Sequence, residues 1–364
     1  MESNYLTYSP KETIRLGKNL ASRLTSGDTV LLYGELGSGK THFIKGIAAG
    51  LGIRATIKSP TYAYVNKYSI GAPIGAPMGA PIGAPKEHPL AFFHYDLYRF
   101  EKGGDIASIG FEETLEDPFA INVVEWADRL GRQVPDKHIS VTLEGEGNKR
   151  KIKIKFINSA ILKKSEIQKY FDEWATPMHV RKHCLQVTEV AMKIAQAYIH
   201  QGEIIDLNLL YPACMLHDMN RVCDFRKLVR SRFEEEVTDE KWKKWQSCRR
   251  EYKGMHHADI TAKILYERGF TETAELIRLH RSDYIVKQPG AFDSIEKKII
   301  YYADKRVKHD EIVSLKERFR DGRERYGKFD TKGERRLFED VEKQTVKLEK
   351  ELFRGIDINP DEII

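Results

Sequence analysis

Apolar residues fall in short, strand-length blocks through the first part of the chain and at helical spacing through the second. Thr29–Tyr33, Phe92–Tyr95, Ile121–Val124, Ile139–Leu143 and Lys151–Phe156 read as strands. The last two alternate at period two around Glu144-Gly145-Glu146-Gly147-Asn148, which predicts an antiparallel hairpin. Ser9-Pro10-Lys11-Glu12 is a helix start, with a capping serine, proline at the first helical position and glutamate three residues on. Ile14, Leu20 and Leu24 give that helix its apolar face, and Ser26-Gly27-Asp28 ends it. The N-terminal region is therefore α/β with a mixed sheet. After Phe156 no further convincing strand occurs. Val180, Cys184, Val187, Ala191 and Ile194 recur at helical spacing, as do Ile260, Ile264 and Leu265. The charge-dense stretch from Glu311 to Phe353 reads as a solvated helix pair. The expected division is residues 1–157, a linker and first helix over 158–177, and an all-α region over 178–355.

Residues 71–85 repeat Gly-Ala-Pro with Ile or Met. Proline and glycine at this density build neither ladder nor helix, so an extended surface insertion is expected. At 364 residues, two domains are the natural expectation. Hydrophobic content of 41% and charged content of 31% describe a soluble globular protein, and a net charge of +6 permits nucleotide or nucleic-acid contact without demanding it. No apolar run approaches a membrane span, and Met1-Glu2-Ser3-Asn4 has no signal-peptide character. The four cysteines form no CxxC pair, so a reduced, cytoplasmic setting is expected, with all four as small core residues.

Gly34-Glu35-Leu36-Gly37-Ser38-Gly39-Lys40-Thr41 is a complete phosphate-binding loop between a strand and a helix. Backbone N–H groups of such a loop wrap phosphates, Lys40 neutralises their charge and the Thr41 hydroxyl ligates magnesium. Ser59-Pro60-Thr61-Tyr62 places the Thr61 hydroxyl where a nucleotide-sensing loop would lie. His94-Tyr95-Asp96-Leu97-Tyr98-Arg99 and Glu125-Trp126 each put a carboxylate at the C-terminal end of a strand, where open α/β sheets bind ligands. Asp96 and Glu125 are thus both candidates to hold magnesium or orient water.

Together these segments, from about Thr13 to Phe156, resemble the TsaE (YjeE) family of bacterial ATPases, which support threonylcarbamoyladenosine formation in tRNA. The resemblance implies a P-loop NTPase fold and weak ATP hydrolysis with magnesium, driving the cycle of a TsaB–TsaD complex, with tRNA engaged indirectly. It implies that Glu35, Gly37, Ser38, Gly39, Lys40, Thr41 and His42 bind nucleotide, with Trp126 near the base or partner. Thr41 and Glu125 would serve magnesium, while Thr61 senses the nucleotide and Asp96 supports the site. The chain departs from the pattern at His42, where a second hydroxyl residue is usual, and in the Gly-Ala-Pro insertion.

In the helical region, His217-Asp218 follows an apolar helix. Alone, each histidine here reads as an ordinary core or surface residue. The ordered set His183, His217, Asp218, His257, His280 and Asp304, each on an apolar helix, points instead to divalent iron, manganese or zinc. From about Met178 to Tyr326 the chain resembles HD-domain phosphohydrolases. His183, His217, Asp218 and Asp304 match the four-ligand set for one metal, and His257 and His280 match the extra histidines of two-metal members. His256 is a rival for the His257 role, disfavoured by the register of Ala262 and Leu265. The resemblance implies metal-activated water attacking a phosphate ester or anhydride, Asp218 being catalytic, on a phosphorylated, nucleotidic small molecule. Arg281, Lys305 and Arg306 are candidate phosphate clamps. The expectation is a fusion of two phosphate chemistries. The alternatives are a non-catalytic ATP-dependent switch, or a P-loop kinase fused to a phosphatase-like domain.

Overall fold

The computed structural model describes residues 1–70, 90–102, 106–158, 161–326 and 331–363. The Gly-Ala-Pro repeat lies outside the described residues. The chain forms two compact units, residues 1–159 with 202–204, and residues 160–201 with 205–364.

The first unit runs β1 Ser3–Thr7, α1 Pro10–Ala21, β2 Thr29–Tyr33, α2 Lys40–Gly50, β3 Val65–Ser69, β4 Ala91–Asp96, α3 Phe111–Glu116, β5 Ala120–Glu125, β6 His138–Glu146 and β7 Lys149–Ile157. Among the described residues these strands form one sheet in the order β1-β7-β6-β2-β5-β4-β3. The four central strands β6, β2, β5 and β4 are mutually parallel, and β7, β1 and β3 are added antiparallel. The mixed sheet follows the expected strands, and the hairpin turns where expected. The helix start also forms: Ser9 accepts the Glu12 N–H at 3.2 Å, while the Glu12 carboxylate takes the Tyr8 N–H at 2.8 Å. The helix is shorter than expected. It stops at Ala21, and Leu24 reaches the core from the following turn. Helices α1 and α2 meet through glycine: a Cβ on Gly46 would lie 2.0 Å from the Ile14 carbonyl oxygen, and one on Gly17 2.1 Å from that of Phe43. Only hydrogen there allows the backbones so close.

The second unit carries α4 Lys164–Glu173, α5 Met178–His200, α6 Leu207–Leu216, α7 Asp239–Glu251, α8 His257–Glu267, α9 Thr271–Arg278, α10 Tyr284–Lys287 and α11 Ile295–Lys305. A two-residue hairpin, β8 Val307–Lys308 with β9 Glu311–Ile312, precedes α12 Leu315–Tyr326 and α13 Lys332–Phe353. The unit is mostly helical, as expected; the small hairpin is too short to leave a period-two pattern. Helix α4 falls within the stretch expected as linker and first helix. One expectation fails: Cys223 and Cys248 are joined as a disulfide, with Cα atoms 5.6 Å apart. Packing of α7 brings together two cysteines that lie 25 residues apart in sequence, a separation with no signature of its own. Cys184 and Cys214 are free and buried.

Asp206 caps α6 through the N–H groups of Asn208 and Leu209. Burial and the neighbouring Glu296 push its carboxyl up to about 7. The folded chain thus keeps a proton that the unfolded chain releases near pH 4. That stability is complete below pH 4 and is lost as pH rises to 7. Asp206→Asn keeps an acceptor for the cap and removes the charge. It is expected to flatten this decline, by about 2–4 kcal/mol between pH 4 and 8. Urea unfolding of both proteins across that range checks it.

Candidate nucleotide site and candidate metal centre

The phosphate loop joins β2 to α2 at the C-terminal ends of the parallel strands. Gly34 lies where a Cβ would meet the Leu143 carbonyl at 2.3 Å, and Gly39 takes φ +106° as the residue before α2. The Lys40 ammonium is buried and donates to the carbonyls of Gly34 at 2.7 Å and Glu35 at 3.0 Å. It also sits 3.8 Å from the centre of the Trp126 ring. Burial presses its pKa down, outweighing the pull of Glu125 and Asp96. Trp126 holds a left-handed backbone (φ 60°), a costly conformation for a bulky residue, and its indole packs on Tyr98 at 5.0 Å.

Parallel pairing of β4 with β5 sets Asp96 beside Glu125. The Thr41 hydroxyl lies 3.3 Å from both Glu125 oxygens, so a hydroxyl and a buried carboxylate face one spot. This donor pair suits magnesium. Asp96 accepts from Thr61 at 2.8 Å and from Ser59, and Ser59 and Thr61 share a 2.7 Å bond. A cleft of about 520 Å³ is lined by Gly37, Gly39, Lys40, Thr41, His42, Thr61, Asp96, Glu125 and Trp126. Glu35 and Ser38 are not on its lining. Glu35 is exposed, touching the site through its carbonyl, and Ser38 is buried with no hydrogen-bond partner for its hydroxyl oxygen among the described residues.

In the helical unit, α5, α6, α8, α9 and α11 bring the six expected residues together. Four histidines are oriented by their Nδ1 atoms. His183 is bonded to the His309 carbonyl at 2.7 Å, His217 to that of Cys214 at 2.7 Å, and His280 to that of Ile277 at 2.6 Å. His257 is bonded to the Asp224 carboxylate at 2.7 Å. Each bond leaves an Nε2 lone pair turned towards Asp218 and Asp304. His183 Nε2 is 3.1 Å and His217 Nε2 3.6 Å from Asp304 Oδ1. His257 Nε2 is 2.8 Å and His280 Nε2 3.4 Å from Asp218 Oδ1, and these two nitrogens stand 3.0 Å apart. Asp218 thereby joins His183 and His217 in one group and His257 and His280 in another.

The donor set fits divalent cations on an independent observation: His217 Nε2 is fully buried with no hydrogen-bond partner among the described residues. A buried nitrogen lone pair left this way is costly unless something fills it. Burial lowers the His280 pKa to about 4, keeping the ring neutral as a ligand must be. Burial alone would raise the Asp304 carboxyl; the Lys305 ammonium and the histidines hold it well below the usual range instead. His256 is in neither Asp218 group: it caps α8, its Nδ1 accepting the Ala258 N–H at 3.2 Å, and stands with Asp224 and His257 in a third possible ligand group. Of the three expected clamps, Arg306 is excluded. It is buried and donates to the Val313 carbonyl, the Tyr302 hydroxyl and the Pro360 carbonyl. Lys305 is bound to Asp304 and the His280 carbonyl, and Arg281 to Asp259 and Asp283.

Residues 7–152 match the family model described as Threonylcarbamoyl adenosine biosynthesis protein TsaE. The TsaE of Bacillus subtilis is 30% identical over 142 residues, 39% of this chain and 77% of its own length. The chain belongs to the TsaE family. The TsaE of Treponema pallidum is 30% identical over 39% of this chain and 92% of its own, and that of Nostoc 32% over 42% and 84%. All three carry the name tRNA threonylcarbamoyladenosine biosynthesis protein. A crystal structure of Bacillus subtilis YdiB aligns over 42% of this chain and 84% of its own, at 26% identity and a TM-score of 0.33. Beyond the TsaE region, residues 180–307 match the HD domain model.

Residue reading alone assigned no role to two side chains of the TsaE-like site. His94 is completely buried on β4 and bonds Glu125 Oε1 through Nε2 at 2.9 Å, fixing that carboxylate from behind. Arg150, on β7, lines the cleft and donates to the Gly37 carbonyl at 3.1 Å. No carboxylate pairs with it among the described residues. Its only signal was one basic residue among the many of Lys149–Lys155. In the HD region, Asp224 behind His257 was also missed.

Proposed function

We propose that the chain couples two phosphate chemistries. The first unit hydrolyses ATP in support of threonylcarbamoyladenosine formation on tRNA, acting in the cytoplasm on TsaD- and TsaB-like partners. The observation that carries this reading is the meeting of Lys40, Thr41 and Glu125 at the end of one phosphate loop. Lys40 would exchange its two carbonyl partners for phosphate oxygens. Thr41 and Glu125 would hold magnesium, which screens phosphate charge when bound. Glu125 would also orient the attacking water, with His94 keeping the carboxylate in place. The Asp96–Thr61–Ser59 network would report whether a nucleotide is present. Trp126 and Tyr98 form the aromatic cover, and Arg150 would meet the nucleotide from the hairpin side. The names of the relatives and the family resemblance support the tRNA role.

The second unit is a metal-dependent phosphohydrolase. The convergence of four histidine Nε2 atoms on Asp218 and Asp304 carries this reading. His183, His217, Asp218 and Asp304 would hold one divalent ion, iron, manganese or zinc, and Asp218, His257 and His280 a second. Bound there, such ions supply Lewis acidity to a phosphate and acidify a water. The protein's own part is to aim the ligands, to keep the His280 ring neutral by burial, and to shield the reaction from bulk solvent.

Two measurements test the pair of activities. In bacteria depleted of their own TsaE, the full chain is expected to restore threonylcarbamoyladenosine in digested tRNA. Failure by a folded, ATP-binding chain overturns the tRNA role. Purified chain is expected to contain near-stoichiometric transition metal and to hydrolyse members of a panel of phosphorylated metabolites. A metal-free chain inert to the whole panel overturns the second activity.

A further inference from the structure

The cleft over the HD ligands is far larger than the ligand cluster. It holds about 960 Å³, at the upper end of the roughly 300–1,000 Å³ of whole small-molecule sites. Its lining carries eight basic side chains against six carboxylates, among the described residues, and any divalent ion at the cluster widens that excess. Arg221, Arg226, Lys227 and Arg232 all come from the segment that follows His217-Asp218. Lys227 and Arg232 are exposed, and neither has a carboxylate within ion-pair reach among the described residues.

Exposed basic residues usually belong to a solvated surface. Here the segment that bears them is anchored on both sides. Towards the ligands, Asp224 accepts from His257 N at 3.0 Å and bonds its ring at 2.7 Å, and Arg221 lies 3.9 Å from Asp218. Towards α7, Arg249 donates to the carbonyls of Val222 at 3.2 Å and Phe225 at 2.6 Å, and Cys223 is bonded to Cys248. The base of the basic segment is therefore set relative to the ligands before any substrate arrives, which lowers the cost of ordering it on binding. The Phe225 ring stacks on His179, centroids 6.1 Å apart and 19° from parallel, and both line the same wall. Cations beside a flat aromatic surface suit a phosphate chain attached to a base.

We propose that this wall is a polyphosphate subsite and that the HD site takes a nucleoside polyphosphate rather than a monophosphate. The proposal rests on the metal-dependent phosphohydrolase reading above. One phosphate lies at the ligand cluster, Lys227 and Arg232 hold the phosphates beyond it, and the Phe225–His179 pair faces the base. In the reaction, a water oxygen bonds to phosphorus and the bridging P–O bond breaks. The bridging electron pair leaves with the departing phosphate, and the water gives its proton to that group or to solvent. A monoester would use the ligand cluster alone and leave the basic wall empty.

The test uses the full chain carrying Lys40→Ala, which silences the phosphate loop, with and without the Lys227→Ala/Arg232→Ala exchange. After chelation of metal, calorimetry is expected to show ATP binding at least tenfold tighter than AMP, and the exchange to erase that difference. With manganese restored, kcat/KM for ATP is expected to exceed that for AMP at least tenfold. The exchange should remove this preference while leaving turnover of AMP unchanged. Equal binding of the two nucleotides, an ATP advantage that survives the exchange, or preferred turnover of AMP overturns the subsite. Absence of any ATP preference before the exchange, in a chain that binds metal and cleaves monoesters, sinks the subsite alone. A chain that binds no metal sinks the underlying reading.

Discussion

Replacing His217 by alanine is expected to empty the helical unit of metal and abolish its phosphoester hydrolysis. His217 is completely buried, its Nδ1 is committed to the Cys214 carbonyl, and its Nε2 has no hydrogen-bond partner among the described residues. A side chain held this way contributes one atom to one place, and no neighbour can substitute for it. Losing an outer partner of a metal ligand typically costs 10–100-fold in metal affinity, so losing the ligand itself should cost more. Asp224→Asn provides the graded comparison. Asp224 supports the metal ligand His257 through its ring and also pairs with Arg221, so this variant is expected to bind metal about 10–100-fold more weakly and still bind it at high concentration. Elemental analysis after dialysis against a weak chelator reads both effects. The order His217→Ala below Asp224→Asn below wild type is the expected result. Equal metal content in all three would show that the histidines are packing residues.

How much of this was legible in the sequence depended on whether an interaction is local or made across the fold. The phosphate loop is eight consecutive residues whose backbone does most of the work, so it reads directly. The HD ligands are scattered over more than 120 residues, but each stands out as a polar group on an apolar helix. Strands β1 and β3 were missed because they are edge strands. Ser3, Tyr5 and Thr7 turn inward on β1 with only one large apolar side chain among them, and β3 is half-buried and polar. His94 sat inside an apolar strand and looked like part of it, and its bond to Glu125 exists only through the β4–β5 pairing. Arg306 was misjudged in the opposite direction. Its place after Asp304 suggested phosphate, whereas the helix turn sends it away from the cleft to tie α11 to the segments after it. The disulfide and the Asp224–His257 bond both depend on where the turn at Arg221–Asp224 packs, which no local pattern encodes.

Lys40→Ala and Glu125→Gln are expected to separate binding from turnover in the first unit. The Lys40 ammonium donates directly to the loop carbonyls of Gly34 and Glu35, and those contacts are the ones a phosphate would replace. Removing a charge-assisted contact of this kind costs about 2–4 kcal/mol, so ATP affinity should fall roughly 30- to 1,000-fold. Glu125→Gln keeps the shape, retains a hydrogen bond to His94 and leaves Lys40 in place. It removes the charge beside Thr41, which the magnesium and the attacking water both need. ATP binding should stay within a few-fold of wild type, while turnover falls about 100- to 1,000-fold. His94→Ala should lie between, because it loosens Glu125 without neutralising it. Equilibrium binding of a fluorescent ATP analogue, read beside single-turnover phosphate release, distinguishes these outcomes. If Glu125→Gln hydrolyses ATP at the wild-type rate, the carboxylate that serves the reaction must be another. Asp96, one position across the parallel register, is then the residue to replace.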